Sequence, residues 1–135
     1  MFLLEFLFCR TGFVIACIGS AVGMGIFNDA NRPVYVAVDE NDSVMGYAFC
    51  IKKKQPFSTN MVPFDSLFID DLCVDQNIRG KHVGQKIFEH VKEEAKKMGC
   101  YEVTLNVWEG NDTARRFYEK MGMVPKETQM EFILK

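Results

Sequence analysis

Apolar residues recur along this chain with two periods, and the switch between them marks its elements. Pro33-Val-Tyr-Val-Ala-Val38 is a run of strand formers closed by the acidic turn Asp39-Glu-Asn-Asp42, and Val44 to Ile51 repeats that composition. Together they predict a β-hairpin. Lys52 to Asp65 carries three lysines with Pro56 and Pro63, which predicts a surface loop. Leu67 to Val74 is apolar on both faces apart from Asp70 and Asp71, the composition of a central strand covered by helices on both sides. From Val83 the period becomes helical: Val83, Ile87, Phe88, Val91, Ala95 and Met98 form one stripe with charges between them. Gly99 suits the position just past the end of that helix. Val103, Leu105 and Val107 then alternate with Thr104, Asn106 and Trp108 in a fourth strand, and a second helix from about Asp112 to Met121 stops at Gly122. Met123 to Lys126 and Thr128 to Leu134 carry the pattern of two closing strands around a bend at Pro125 and Lys126.

The order strand, strand, strand, helix, strand, helix, strand, strand predicts an α/β domain of the α+β type. Its central sheet is mixed and largely antiparallel, with flanking helices and one parallel strand-helix-strand unit across residues 67–107. Such a crossover is right-handed in nearly every sheet, because a right-twisted strand feeding a right-handed helix packs back only that way.

Residues 1–31 follow neither period. Thr11 to Phe27 carries no charge, and Met1 to Phe8 is nearly all apolar around Glu5. The uncharged run sits at the lower edge of the ~17–25 residues a spanning helix needs. Gly19, Gly23 and Gly25 interrupt it, and no basic segment precedes it. A membrane anchor or signal is therefore the weaker expectation, and buried elements of the domain the stronger.

With 135 residues, 48% of them hydrophobic, the chain suffices for one domain over 1–135, an atypical apolar segment at 1–31 and a core at 32–135. A formal charge of -2 is no footprint for nucleic acid, so an anionic ligand has to be held by a local site. The five cysteines form neither a C-x-x-C pair nor a cluster with histidine. That pattern predicts no metal, and reduced thiols in a cytoplasmic protein.

One local site stands out. Arg79-Gly80-Lys81-His82-Val83-Gly84 joins the third strand to the first helix, where unpaired backbone N–H groups and the positive end of the helix dipole converge on one point. The turn lacks the Gly-Lys-Ser/Thr of a P-loop and comes too late in too short a chain for a dinucleotide fingerprint. By itself it is a generic anion site.

Its surroundings are more specific. From Val34 to Leu134 the chain resembles the GNAT superfamily of acetyltransferases, with LFIDDLCVDQNIRGKHVGQKIFEHV as the strand-turn-helix cofactor motif and TLNVWEGNDTARRFYEKMGM as the second motif. The resemblance implies a GNAT-like fold, acetyl-coenzyme A as co-substrate, and a pyrophosphate held by the backbone of Arg79, Gly80, Lys81, His82, Val83 and Gly84. His82 stands where the family's R-G-x-G-x-G pattern has its middle glycine. A residue with a side chain favours negative φ, so the turn is expected to enter the helix right-handed. His82 is then a silent backbone donor, or its ring reaches a phosphate. The resemblance also lays the pantetheine arm along Leu72, Cys73 and Val74 as a pseudo-strand.

Asn111, Ala114, Phe117, Tyr118 and Gly122 reproduce the family spacing N-x-x-A-x-x-F-Y-x-x-x-G. Asn111 caps its helix or borders the cofactor, and Ala114, Phe117 and Met121 form a packing stripe. Tyr118, one step off that stripe, is implied as the proton donor to the departing coenzyme A thiolate. The implied reaction is direct attack by a primary amine on the thioester, with a strand N–H near Cys73 or Val74 helping the oxyanion.

Asp70 and Asp71 are candidate bases, and strand alternation points them to opposite faces, so that one at most lines the cleft. Cys73 has no histidine with an orienting carboxylate at a telling position, which argues against a covalent acyl-cysteine. The acceptor is a small-molecule or peptide amine, and nucleic acid is not a partner. A homodimer is the assembly left open. A non-catalytic acetyl-coenzyme A-binding module is the competing function, and a membrane-tethered enzyme the third.

Overall fold

The computed structural model describes residues 5–8 and 14–17 as backbone and residues 29–41, 43–55, 59–78 and 82–135 in full. Strands β1 (Glu5–Phe8), β2 (Val14–Cys17), β3 (Val34–Val38), β4 (Val44–Gln55), β5 (Phe64–Val74) and β6 (Glu102–Leu105) lie in one sheet in chain order. Neighbours pair antiparallel except β5 and β6, which are parallel. Helix α1 (Val83–Lys97) connects that parallel pair and α2 (Asp112–Lys120) follows it. This is the expected mixed, largely antiparallel sheet with one strand-helix-strand unit. Two of its strands come from residues 1–31, which follow neither period.

The stripe predicted for α1 is its buried face. Val83, Ile87, Phe88, Val91 and Ala95 pack on Tyr35, Ala37, Met45, Ala48, Cys50, Leu67 and Ile69. Removal of that stripe from water is the main support of the helix. The outward face carries the i,i+3 pairs Glu89–Lys92, Glu93–Lys96 and Glu94–Lys97 at 2.8–2.9 Å. Exposed pairs of this kind add only about 0.2–0.5 kcal/mol each.

Both helices end alike. Gly99 at φ 75° and Gly122 at φ 97° hold the left-handed position after each C-cap. The N–H groups of Cys100 and Met123 reach back to the carbonyls of Ala95 and Tyr118. These 6→1 bonds satisfy carbonyls that the last turn leaves open.

Four expectations are corrected. The three lysines of the predicted loop lie in strand, because β4 runs to Gln55 and β5 begins at Phe64, while residues 59–63 between them form no strand. Lys52 Nζ meets Asp65 at 3.3 Å, and Lys53 Nζ lies 3.8 Å over the Phe68 ring. Long basic side chains thus lie along the sheet with their charges satisfied.

Helices do not cover both faces of β5 among the described residues. Tyr118 and Met121 of the α2 region join the same core as α1, while Val34, Val36 and Val38 pack with Tyr47 and Phe49 in a separate cluster. The fourth strand stops at Leu105, short of Val107 and Trp108.

Met123 to Lys126 and Thr128 to Leu134 form no strand. A period-2 apolar pattern becomes a strand only on an edge that supplies hydrogen bonds, and none pairs with this segment among the described residues. No described helix is long and apolar enough to cross a membrane.

Candidate functional site

The parallel pair is matched only from Ser66↔Glu102 to Ile69↔Leu105. Beyond it β5 continues to Val74 while β6 ends at Leu105, so among the described residues nothing pairs with that edge of β5 over its last residues. A cavity of about 180 Å³ opens there. It is lined by Asp70, Asp71 and Leu72 on one side and by Asn106, Trp108 and Tyr118 on the other. Ligand sites for drug-sized molecules run to about 300–1,000 Å³. This one fits the reacting end of an extended molecule whose remainder lies outside.

The two aspartates are not arranged as alternation requires. Cys50 faces Ile69 and Phe49 faces Asp71 in the β4/β5 register, which leaves Asp70 as an extra residue in a β-bulge. Both aspartates are exposed and both residues border the cleft. Asp71 is the more tightly held of the two. The Tyr47 hydroxyl donates to its Oδ2 at 3.1 Å, and that bond, with burial and the carboxylate's charge, holds the Tyr47 phenol above its ordinary range.

Tyr118 enters the cleft from α2. Its ring is half-buried, packed 6.0 Å from Phe88 and 5.0 Å edge-on from Phe117. Burial raises its pKa above the ordinary phenol value, and the negative Asp71 adds to the rise. The hydroxyl therefore carries its proton at neutral pH, the state a donor needs. Asn111 does what a cap residue does: its Oδ1 accepts the Ala114 N–H at 3.2 Å, and the residue also borders the cleft.

Beyond the C-terminal end of β5 the predicted cradle is partly in view. Arg79, Gly80 and Lys81 lie outside the described residues. His82 is the N-cap of α1, exposed and without a side-chain capping bond, and its carbonyl accepts the first helical hydrogen bond from the Lys86 N–H at 3.1 Å.

Its backbone is left-handed, φ 59° and ψ 28°. This overturns the expected right-handed entry: the turn imposes a glycine conformation, and histidine is among the residues that tolerate it best. Val83 is buried in the core and Gly84 lies under Phe117. A Cβ on Gly84 would meet that ring at 3.3 Å and Val74 at 3.5 Å. Gly84 therefore serves close packing of the two helices beside β5.

Of the three pantetheine-strand residues, Leu72 lines the cleft, Cys73 is exposed, and Val74 is half-buried against the core. Sequence reasoning missed Tyr47, Trp108 and Gly46. A Cβ on Gly46 would stand 2.7 Å from the Cys73 carbonyl oxygen and 2.9 Å from Ile87, so only glycine lets β4, β5 and α1 meet at that point. Tyr47 faces Cys73 across the β4/β5 pair, a register that no local pattern gives. Among the described residues no group of three or more His, Cys, Asp or Glu side chains is placed to hold a metal ion.

Comparison with known proteins agrees with this geometry. The family model "Acetyltransferase (GNAT) family" matches residues 9–123. Glucosamine 6-phosphate N-acetyltransferase of Arabidopsis thaliana is 44% identical over 62 residues, 46% of this chain and 40% of that protein. The peptidyl-lysine N-acetyltransferase YjaB of Escherichia coli is 31% identical over 90 residues, 67% of this chain and 48% of that protein. The chain thus matches less than half the length of these curated relatives.

Among solved structures, a variant of the BH1408 protein from Bacillus halodurans superposes with a TM-score of 0.75 at 30% identity, covering 82% of this chain and 70% of that one. The Arabidopsis thaliana glucosamine-6-phosphate N-acetyltransferase gives a TM-score of 0.60, also at 30% identity, over 78% and 68% of the two chains.

Proposed function

We propose that this chain, which belongs to the acetyltransferase (GNAT) family, transfers an acetyl group from acetyl-coenzyme A to a primary amine by direct attack in a ternary complex. The observation that carries the proposal is the splay of β5 from β6, with a protonated tyrosine on one wall and two carboxylates on the other. The pantetheine arm runs along the unpaired edge at Leu72, Cys73 and Val74, where an extended amide chain supplies the hydrogen bonds a strand would. The pyrophosphate rests on the turn from Arg79 to Gly84 at the start of α1.

In the reaction the amine nitrogen attacks the thioester carbonyl, and a β5 N–H near Cys73 or Val74 receives the oxyanion. Asp71 takes the amine proton directly or through water, with Tyr47 fixing its carboxylate, and Asp70 is the second candidate for that role. The carbon–sulfur bond then breaks, and Tyr118 protonates the departing thiolate. Cys73 forms no covalent intermediate.

The acceptor is a small molecule or a peptide. The acceptors in the relatives' names, glucosamine 6-phosphate and peptidyl-lysine, share a primary amine and little else. A cytoplasmic setting accords with Cys73 and Cys100, which form no disulfide among the described residues. We include a homodimer in this proposal, on the outer edge of β6 and the segment after Lys126, which pair with nothing among the described residues.

The test is release of free thiol from acetyl-coenzyme A against a panel of amines including those two, alongside thermal stabilisation by acetyl-coenzyme A. Stabilisation with acceptor-dependent thiol release is expected. Stabilisation without release on any amine would overturn the catalytic proposal in favour of a binding module.

A further inference from the structure

The two aspartates that border the cleft are held differently. Asp71 accepts the Tyr47 hydroxyl at 3.1 Å, and its charge reaches Tyr118, whose pKa it helps burial to raise. Asp70, the residue that the β4 register skips, is exposed and has neither a hydrogen bond nor an ion pair among the described residues. Trp108 borders the same cleft and is 88% exposed. An indole left this open forgoes most of its burial energy, and among aromatic side chains its face is the best partner for a cation.

Basic side chains are missing from this site. No residue that borders the cleft is Lys, Arg or His. On α2, Asn111, Ala114 and Tyr118 share the face toward the cleft, and Arg116 falls on the opposite face. Arg115 is bonded to Glu119 at 3.0 Å, and the charges of Glu109 and Asp112 act on it as well. In the sequence, residues 1–28 contain one basic residue, Arg10, while Arg79 and Lys81 belong to the turn proposed for the pyrophosphate. An acceptor bearing a phosphate or carboxylate would meet two aspartates here, with no cation among the described residues of the cleft to offset them.

We propose that the acceptor is an amine with a second positive charge, whose reacting nitrogen goes to Asp71 and whose other cation is held by Asp70 and the Trp108 ring. The proposal rests on the acetyl-transfer reading of the cleft and gives its two aspartates separate tasks. Asp71, fixed by Tyr47, takes the proton of the reacting amine. Asp70 holds a charge that stays on the acceptor throughout, since an alkylammonium away from the thioester keeps its proton up to about pH 10. A dication thus compensates both carboxylates, whereas a monoamine leaves one without a partner.

Putrescine, butylamine and γ-aminobutyrate have equal numbers of carbons and end in an ammonium, a methyl group and a carboxylate. Their kcat/KM values in thiol release from acetyl-coenzyme A therefore isolate the second charge. Putrescine should exceed butylamine by about tenfold or more, with γ-aminobutyrate the poorest. Added salt should narrow the gap. Asp70→Asn should bring putrescine down toward butylamine, and Trp108→Leu should weaken the preference more than Trp108→Phe does. Equal values for putrescine and butylamine in the unmodified protein would overturn the proposal. So would an Asp70→Asn protein in which both amines fall together at an unchanged ratio, the mark of a base. Release with none of the three amines would sink the acetyl-transfer reading, and calorimetry on the coenzyme A-loaded protein then decides the acceptor class by itself. Binding of putrescine in preference to butylamine would uphold it, and no preference would overturn it.

Discussion

His82 holds a left-handed backbone at φ 59° without any side-chain capping bond to offset it, so its conformational cost can be isolated by substitution. An L-residue with a Cβ pays about 1–2 kcal/mol in that region, and His, with Asn and Asp, sits at the low end. Glycine avoids that cost but gives up about 0.5–1 kcal/mol of extra chain entropy. His82→Gly should therefore change stability by about 0 to +1 kcal/mol. His82→Val, β-branched and strained there, should lose about 1 kcal/mol or more, with His82→Ala between them. For a domain of this size 1 kcal/mol moves the melting temperature by about 3–5 °C.

Melting curves of the four proteins without ligand should thus rank Gly at or above His, then Ala, then Val. A Val protein that melts with or above the Gly protein would refute the left-handed assignment, because only a negative φ removes the difference. Calorimetry with acetyl-coenzyme A reads the second half of the question. Retained affinity in His82→Gly assigns the histidine a backbone role, and lost affinity assigns its ring a phosphate contact.

Tyr118→Phe should lower kcat by about 10²–10⁴-fold, the usual worth of a positioned acid, with little change in cofactor affinity; unchanged kcat would remove Tyr118 from the mechanism. Gly46→Ala forces a Cβ to within 2.7 Å of the Cys73 carbonyl, and should cost about 1–3 kcal/mol of stability and weaken acetyl-coenzyme A binding, since the strand that must move is β5. A Gly46→Ala protein with native melting and affinity would contradict that packing. Burial holds His90 below its ordinary 6.5, Glu94 opposing and Lys97 reinforcing. On acidification the unfolded chain takes this proton first, so stability is lost as pH falls below about 6.5. His90→Gln should flatten the fall in melting temperature between about pH 7 and 5, and an unchanged slope would show that the imidazole does not drive it.

Much of this was legible where the controlling physics is local. The α1 stripe, the caps at Asn111, Gly99 and Gly122, and the strand formers at 34–38 and 44–51 each depend on residues a few positions apart, and each lies where its pattern put it. Misreadings came where a distant partner outweighs local preference. Lys52 and Lys53 look like loop residues until Asp65 and Phe68 are brought across the sheet to meet them. His82 looks right-handed by residue type, yet it stands at φ 59° next to the buried Val83. Tyr47 was invisible as a site residue because its partner Asp71 is 24 positions away. The segment 128–134 has strand chemistry, but among the described residues no edge pairs with it and it forms no strand.

The cleft itself traces to one residue. The last matched pair between β5 and β6 is Ile69↔Leu105, and the next residue, Asp70, is the one that the β4 register skips. A bulge bends its strand and increases the local twist. β5 diverges from β6 at the point where that twist is added, and the divergence leaves the backbone of Leu72–Val74 free on one edge. The same extra residue breaks the period of two, and Asp70 and Asp71 both border the gap. Opening an edge for an extended ligand and concentrating carboxylates beside it are thus one structural event. A pattern of alternating residues hides it, because the bulge changes the register of the strand without changing its composition.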